Sequence, residues 1–176
     1  MPRLFTGLEV PDDVAFRLSM LRGGVSGAKW IEPSDYHLTL SFIGNVDVGT
    51  ASDLHDELAQ IETPELTVRL HELGSFGGER PRSIVALAEP ASDLLALQGH
   101  NDRALRRAGV EPERRKYTPH VTIARLKGAP APAVAAFLGE RPIQPMAFVA
   151  RRFVLYSART SQGGGPYVVE AAYPLG

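Results

Sequence analysis

The sequence predicts an α+β fold in which one domain, residues 1–176, contains two similar halves. Short runs that alternate apolar and polar residues indicate strands, and stretches with apolar residues at helical spacing separate them. The resulting order is β-α-β-β-α-β followed by β-α-β-α-β-β. Each half has a His-x-Thr triplet in a strand after its first helix. We therefore expect a bilobal structure, with two pseudo-symmetric lobes of mainly antiparallel sheet flanking a central groove that carries both triplets.

The first half shows this alternation clearly. Its opening strand ends at Pro11, and its second long strand ends at Gly44. Thr50 and Asp53 have the spacing of a capping box and indicate the start of a helix. The predicted strands cover 3–10, 28–31, 36–44 and 65–73, and the predicted helices cover 12–22 and 50–61.

The second half follows a Gly/Pro-rich loop at 74–82. Its predicted strands cover 83–89, 119–126, 146–158 and 167–173, and its predicted helices cover 93–108 and 131–139. The run GGG at 163–165 lacks the Lys-Ser/Thr that follows in a phosphate-binding loop, so we interpret it as a hairpin loop.

Composition excludes several functional classes. Apolar residues make up 44% of the chain, which suffices for a buried core, and the net charge is −1. Proteins that coat long nucleic acids usually have a basic excess, so any contact with RNA should be short. With no cysteine, the chain has no disulfide, thiol nucleophile or thiolate metal site. It shows neither a signal peptide nor an apolar run near the ~20 residues of a membrane span. We expect a cytoplasmic protein without a membrane partner, and by default a monomer.

The two triplets occur in closely similar apolar frames. The copies are HLTLSFIG, residues 37–44, and PHVTIARL, residues 119–126. Because side chains at i and i+2 of a strand share a face, His37 and Thr39 should point the same way, as should His120 and Thr122. The same alternation predicts that Ser41 lies on the face of His37. If the lobes face each other, two imidazoles and two hydroxyls meet in one groove.

This set of groups suits acid–base chemistry at phosphorus. A histidine has an unperturbed pKa near 6.5, so one imidazole can accept a proton while the other donates one. Threonine hydroxyls can donate hydrogen bonds to phosphate oxygens. A zinc site on His37 and His120 would lack a third protein ligand. We therefore expect no metal and no cofactor. A lone triplet would indicate little, but two copies at equivalent places favour a functional site.

At these residues the sequence resembles the 2H phosphoesterase superfamily, and more narrowly the RNA 2′,3′-cyclic phosphodiesterases, also called 2′-5′ RNA ligase-like proteins. Both triplets carry the resemblance, and it extends over nearly the whole chain. Further similar stretches are RLFTGLEVPDD at 3–13, KWIEPSDYH at 29–37, LGSFGGERPRSIVAL at 73–87 and EPERRKYTPH at 111–120.

The resemblance implies a bilobal fold and the hydrolysis of a 2′,3′-cyclic phosphate at an RNA 3′ end, which leaves a 2′-phosphate. It makes His37 the acid that protonates the departing 3′ oxygen and His120 the base that activates water. Thr39 and Thr122 would bind the phosphate oxygens. The expected partners are RNA 3′ ends or small cyclic-phosphate nucleotides.

Phe42 and Arg125 each follow a motif histidine by five positions. In the family an aromatic residue and a cation near these places serve the base and the phosphate. Strict alternation turns both away from the groove, so these roles require a bulge or a strand end. Ser41 stands where relatives carry Arg or Lys, which would make the groove less positive. Tyr117 is a candidate for stacking on a base.

Two other functions remain open from the sequence. The same residues could run the reverse reaction and ligate a 2′-phosphate end to a 5′-hydroxyl. A non-catalytic module that binds RNA ends would keep the fold but lose a histidine. Both His37 and His120 are present, which argues against the binding module.

Overall fold

The structure, a computed structural model, describes residues 3–158 and 166–176; the predicted GGG hairpin loop at 163–165 lies outside them. The strands are β1 Arg3–Glu9, β2 Ala28–Trp30, β3 His37–Gly44, β4 Leu66–Phe76, β5 Ser83–Ala88, β6 His120–Leu126, β7 Met146–Ala150, β8 Arg152–Ala158 and β9 Tyr167–Pro174. The α-helices in this part of the chain are α1 Asp12–Ser19, α2 Val48–Ala59, α3 Ser92–Arg107 and α4 Ala131–Glu140. A 3-10 turn at Pro33–Asp35 precedes β3.

All nine strands belong to one antiparallel sheet, which confirms the predicted α+β class. The strand order is β7-β4-β5-β6-β3-β1-β8-β9, with β2 beside β6. At the centre, β3 and β6 are joined through the single pair Leu38 and Val121. This narrow junction divides the sheet into a first lobe of β3, β1, β8 and β9 and a second lobe of β6, β5, β4 and β7.

The two halves of the sequence do not each form their own lobe. Strand β4 belongs to the first half but pairs with β5 in the second lobe, whereas β8 belongs to the second half and pairs with β1 in the first. The predicted single strand 146–158 is two strands, which separate at Arg151 and join different lobes. The sequence marks this break, because two consecutive exposed arginines, Arg151 and Arg152, shift the alternation: the core residues are Met146, Phe148 and Ala150 before them and Phe153 and Leu155 after them. The expected bilobal arrangement is therefore confirmed, but each lobe contains strands from both halves of the sequence because the repeats exchange strands.

The helices whose apolar stripes the sequence predicts all pack against one face of the sheet. Their buried residues form a single core with residues from β3 and β6. Leu38 and Val121, both 0% exposed, lie at its centre. Burial of one such side chain stabilises the fold by about 1.5–3 kcal/mol. We call this side of the sheet the helix face. The opposite side, which carries a separate small cluster of Phe5, Val154 and Tyr156, is called the site face.

Two local details differ from the prediction. Helix α2 begins earlier, because the carboxylate of Asp47, and not Thr50, is its N-cap and accepts a hydrogen bond from the Thr50 backbone at 2.7 Å. Strand β4 continues through residues 74–76, predicted as loop, so that Phe76 is part of the sheet. None of the helices in the described residues has the length and apolarity needed to cross a membrane.

Candidate active site

Both triplets lie at the junction between the lobes. Leu38 and Val121 pair directly and both point into the core, so the residues next to them on each strand point to the site face. The resulting group, which we call the quartet, is His37, Thr39, His120 and Thr122. The predicted convergence of two imidazoles and two hydroxyls agrees with this geometry, while their roles stay predictions.

The two imidazoles are held in the same way. His37 Nδ1 donates a hydrogen bond to the carbonyl of Asp35 at 2.9 Å, and His120 Nδ1 donates to the carbonyl of Thr118 at 2.6 Å. Because a carbonyl can only accept, Nδ1 carries the proton in both neutral rings. Each histidine therefore presents an unprotonated Nε2 that can accept a proton.

Aromatic rings surround His37. The Tyr167 ring meets it edge-on with centroids 4.8 Å apart, and the rings of Phe5 and Tyr156 lie at 4.9 and 5.4 Å. Asp35, whose carbonyl holds His37, also accepts a hydrogen bond from the Tyr167 backbone with its carboxylate at 3.2 Å. The imidazole is thereby fixed by one hydrogen bond and three ring contacts.

Gly7 makes room for this packing. It pairs with Thr39 and lies on the site face between Phe5 and Glu9. A Cβ at this position would lie 2.8 Å from the Leu38 carbonyl and 3.3 Å from the Tyr156 ring. Only glycine fits against the β3 backbone here, and its missing side chain also leaves room for the Tyr156 ring.

His120 has a similar but sparser environment. The Phe76 ring meets it edge-on at 4.7 Å and 82°, which matches the Tyr167 contact with His37. The continuation of β4 through Phe76 supplies this ring. Each imidazole is thus partly shielded from water by an aromatic side chain from a strand that lies outside its own motif.

The surroundings lower the pKa of both histidines. Burial lowers the pKa of His37 from 6.5 to about 4; the hydrogen bond to Asp35 opposes this, and the positive charges of His120 and Arg125 add to it. Burial likewise lowers the pKa of His120, against its bond to Thr118 and with the help of Arg125. Both rings are neutral near pH 7 when no substrate is bound, and Arg125 acts on both.

A β-bulge follows each triplet and decides where Phe42 and Arg125 point. The register of β3 with β1 skips Leu40, and the register of β6 with β5 skips Ile123. The extra residue reverses the alternation, so Phe42 and Arg125 lie on the site face, both exposed. The bulge that their predicted roles require is therefore present in both motifs.

The same bulge turns Ser41 away from the site face. Ser41 is 5% exposed, and its hydroxyl donates to the carboxylate of Asp102 on α3 at 2.7 Å. Its backbone N–H donates to Thr6 Oγ1 at 3.2 Å. The prediction that Ser41 shares the face of His37 and contacts substrate is wrong, because the residue lies after the bulge and belongs to the helix face.

Tyr117 connects the two strands of the junction. Its hydroxyl donates to the carbonyl of Thr39 at 2.7 Å. Burial and the nearby Asp102 carboxylate raise the pKa of Tyr117, so the hydroxyl keeps its proton. The hydroxyl thus ties the segment before β6 to β3. A stacking role for the half-buried ring stays a prediction.

Two rows of side chains cross the site face level with Phe42 and Arg125. On β3, β1 and β8 these are Phe42, Phe5 and Tyr156, which we call the aromatic row, and Val169 of β9 stands next to Tyr156. On β6 and β2 these are Arg125 and Lys29, which we call the cationic row, and Ser83 of β5 and Phe76 of β4 continue the same line across the sheet. Because β3 and β6 run antiparallel, the rows lie toward opposite ends of the site.

Sequence reasoning missed several parts of this environment. The carbonyls of Asp35 and Thr118 carry no side-chain signal, and the pairing of β8 with β1 that brings in Tyr156 is non-local. Lys29 was noted in the sequence only as the first residue of KWIEPSDYH, one of the stretches that resemble the family. The described residues contain no group of three or more His, Asp or Glu that could hold a metal ion.

The family is shown by two matches. The model of the LigT like Phosphoesterase family matches residues 8–86 and again residues 85–167, so that each match contains one triplet. The chain belongs to this family of phosphoesterases, and the resemblance seen in the sequence is confirmed.

Two curated relatives are also similar to this chain in sequence. An RNA 2′,3′-cyclic phosphodiesterase from Aeropyrum pernix is 34% identical over 131 residues, which cover 70% of this chain and 74% of the relative. One from Bacillus subtilis is 30% identical over 130 residues, covering 70% of this chain and 71% of the relative.

Solved structures share the fold. The crystal structure of E. coli LigT complexed with 3′-AMP has a TM-score of 0.79 and 21% identity, and the similarity covers 99% of both chains. The crystal structure of a Thermus thermophilus protein has a TM-score of 0.75 and 25% identity, and the similarity covers 98% of this chain and 97% of that one.

Proposed function

We propose that this protein hydrolyses 2′,3′-cyclic phosphates at RNA 3′ ends and leaves 2′-phosphates. The observation that carries the proposal is the quartet, in which two imidazoles with free Nε2 atoms and two hydroxyls share one face of a rigid sheet. The names of the relatives support this choice of substrate.

The proposed reaction moves one proton at each end. His120 Nε2 takes a proton from water, whose oxygen attacks phosphorus. The bond between phosphorus and O3′ breaks, and protonated His37 gives its Nε2 proton to O3′. Thr39 and Thr122 donate hydrogen bonds to the non-bridging oxygens as negative charge grows there. The products are a 2′-phosphate and a free 3′-hydroxyl.

The acid role of His37 depends on the bound phosphate. Without substrate, burial and neighbouring cations hold its pKa at about 4, so the ring is neutral near pH 7. A phosphate anion beside the ring favours the imidazolium form and raises this pKa. Binding of the substrate therefore promotes the protonation that the leaving oxygen needs.

No metal takes part in the proposed reaction, since the histidines carry the protons and the threonines meet the phosphate charge. The decisive experiment incubates the protein with an oligonucleotide that ends in a 2′,3′-cyclic phosphate, in EDTA. We expect turnover with a 2′-phosphate as the product, identified by 31P NMR. Turnover only after metal is added, a 3′-phosphate product, or no turnover would each refute the proposal. Tight binding of the end without turnover would indicate a binding module.

A further inference from the structure

Lys29 lies directly opposite Arg125 on the site face. The register of β2 with β6 pairs these two residues, and the neighbouring pair of Trp30 and Ala124 points to the helix face, where the Trp30 ring packs on Phe137. Directly opposed residues of an antiparallel pair project to the same side. Two long cationic side chains therefore stand next to each other, and both are exposed.

This arrangement is unfavourable for the empty protein. Like charges that face each other across a strand pair destabilise it. Among residues 3–158 and 166–176, no carboxylate is within ion-pair distance of Lys29 or Arg125. An anion between the two side chains would remove the repulsion and satisfy both cations.

The pair lies on the site face close to the quartet. Strands β2 and β3 follow the same edge of β6, and the Ile31 backbone donates to the Ile123 carbonyl at 2.9 Å as the chain passes from one to the other. The charge of Arg125 is felt at both His37 and His120, in keeping with a cation pair that lies close to the quartet.

We propose that Lys29 and Arg125 form a subsite for a second phosphate, the phosphodiester on the 5′ side of the cyclic end. This inference rests on the proposed function. In an RNA that ends in a 2′,3′-cyclic phosphate, the next phosphate is the one attached to O5′ of the terminal ribose, and it is the anion nearest to the reacting group. The preferred substrate is therefore an RNA end with at least two nucleotides, and a mononucleoside cyclic phosphate uses only the quartet.

The test compares two substrates that differ by one phosphodiester. Adenosine 2′,3′-cyclic phosphate has the cyclic phosphate alone, while the dinucleotide ApA with a 2′,3′-cyclic end has one more phosphate. The variant is Lys29→Gln, with Lys29→Arg as the conservative rescue. Arg106→Gln removes an exposed positive charge from α3 on the helix face and is the matched control.

For Lys29→Gln we expect kcat/KM for the dinucleotide to fall about three- to fivefold, as for an exposed charge contact, with kcat/KM for the mononucleotide unchanged. The log–log salt slope for the dinucleotide should become shallower by about 0.7, the value for one phosphate contact on a single strand. Lys29→Arg should retain the preference for the dinucleotide, and Arg106→Gln should leave both substrates unaffected.

Equal effects of Lys29→Gln on both substrates, or no effect on either, would overturn the subsite. These results differ from a failure of the proposed function, in which the unmodified protein hydrolyses neither substrate. A wild-type protein that hydrolyses both at the same kcat/KM would also overturn the subsite while leaving the cyclic phosphodiesterase activity in place.

Discussion

The first and second lobes build their halves of the site on the same backbone plan. In each, a histidine donates Nδ1 to the carbonyl two residues earlier, a threonine follows on the same face, and a bulge comes next. The side chains after the bulge differ: Phe42 continues an aromatic row, and Arg125 continues a cationic row. The shared backbone positions the proposed reacting groups, and the unlike rows give the symmetric site a direction in which a nucleotide can bind.

The largest losses of activity should come from substituting the histidines, which both halves of the site have in common. His37→Ala and His120→Ala should each lower kcat by about 10²–10⁴-fold, because each removes one of two proton transfers. The measurement is turnover of a cyclic-phosphate oligonucleotide. His100→Gln on α3 is the control. A variant of either motif histidine that keeps most of its activity would show that the halves are not equal partners.

The threonines offer a finer comparison. Thr39→Val and Thr122→Val keep the side-chain shape but remove the hydroxyl, so each should lower kcat by about 10²-fold. If the halves are equivalent, the two losses should agree within a few fold. Thr67→Val on β4 controls for a general effect of the substitution on the sheet, and thermal unfolding of each variant checks that it folds. A loss confined to one threonine would assign phosphate binding to one lobe.

Substitutions in the two rows should differ in how their loss of kcat/KM depends on salt concentration. Phe42→Leu and Arg125→Gln should each lower kcat/KM about tenfold, within the range of base stacking and charged hydrogen bonds. The loss from Arg125→Gln should shrink at high salt, since added ions screen the phosphate contact in the parent protein. The loss from Phe42→Leu should not change, and Phe42→Tyr should restore activity. An identical salt response would contradict the division between the rows.

The smallest expected effects are on the pKa values of the two histidines and on the pH dependence of kcat/KM. With an acid of pKa about 4 and a base below 6.5, kcat/KM should peak between those values, on the acid side of neutrality. Arg125→Gln should raise the pKa of both histidines, because the lost cation no longer opposes their protonation. Histidine C–H resonances followed by NMR against pH measure this, and Arg106→Gln is the control. An unchanged or lower pKa would show that the charge of Arg125 does not reach the imidazoles.

The sequence predicted those features that depend on local backbone geometry. The shared face of His37 and Thr39 follows from an extended strand alone. The equal offset of Phe42 and Arg125 also showed that a bulge was needed for both to face the substrate. Nothing in Leu40 or Ile123 marks them as the inserted residues, because a bulge is defined by the partner strand.

Features that depend on distant parts of the chain were not predictable. Arg151 and Arg152 shift the apolar alternation and so mark a break between two strands, but nothing local shows that these strands join different lobes, and the exchange of strands was missed. The opposition of Lys29 and Arg125 follows from pairing between segments that are far apart in the sequence. Ser41 was misplaced for the related reason that its orientation is reversed by the register with β1.

The strand exchange has a consequence for biogenesis. During synthesis, β1 and β3 are made before every strand of the second lobe, but β8, which pairs with β1, is made after all of them. Non-local pairings of this kind slow folding, because a long loop must close before the contact can form. The amino-terminal half therefore cannot complete its lobe while it is being translated. A fragment ending after the first motif would expose one edge of β1, where intermolecular strand pairing can begin.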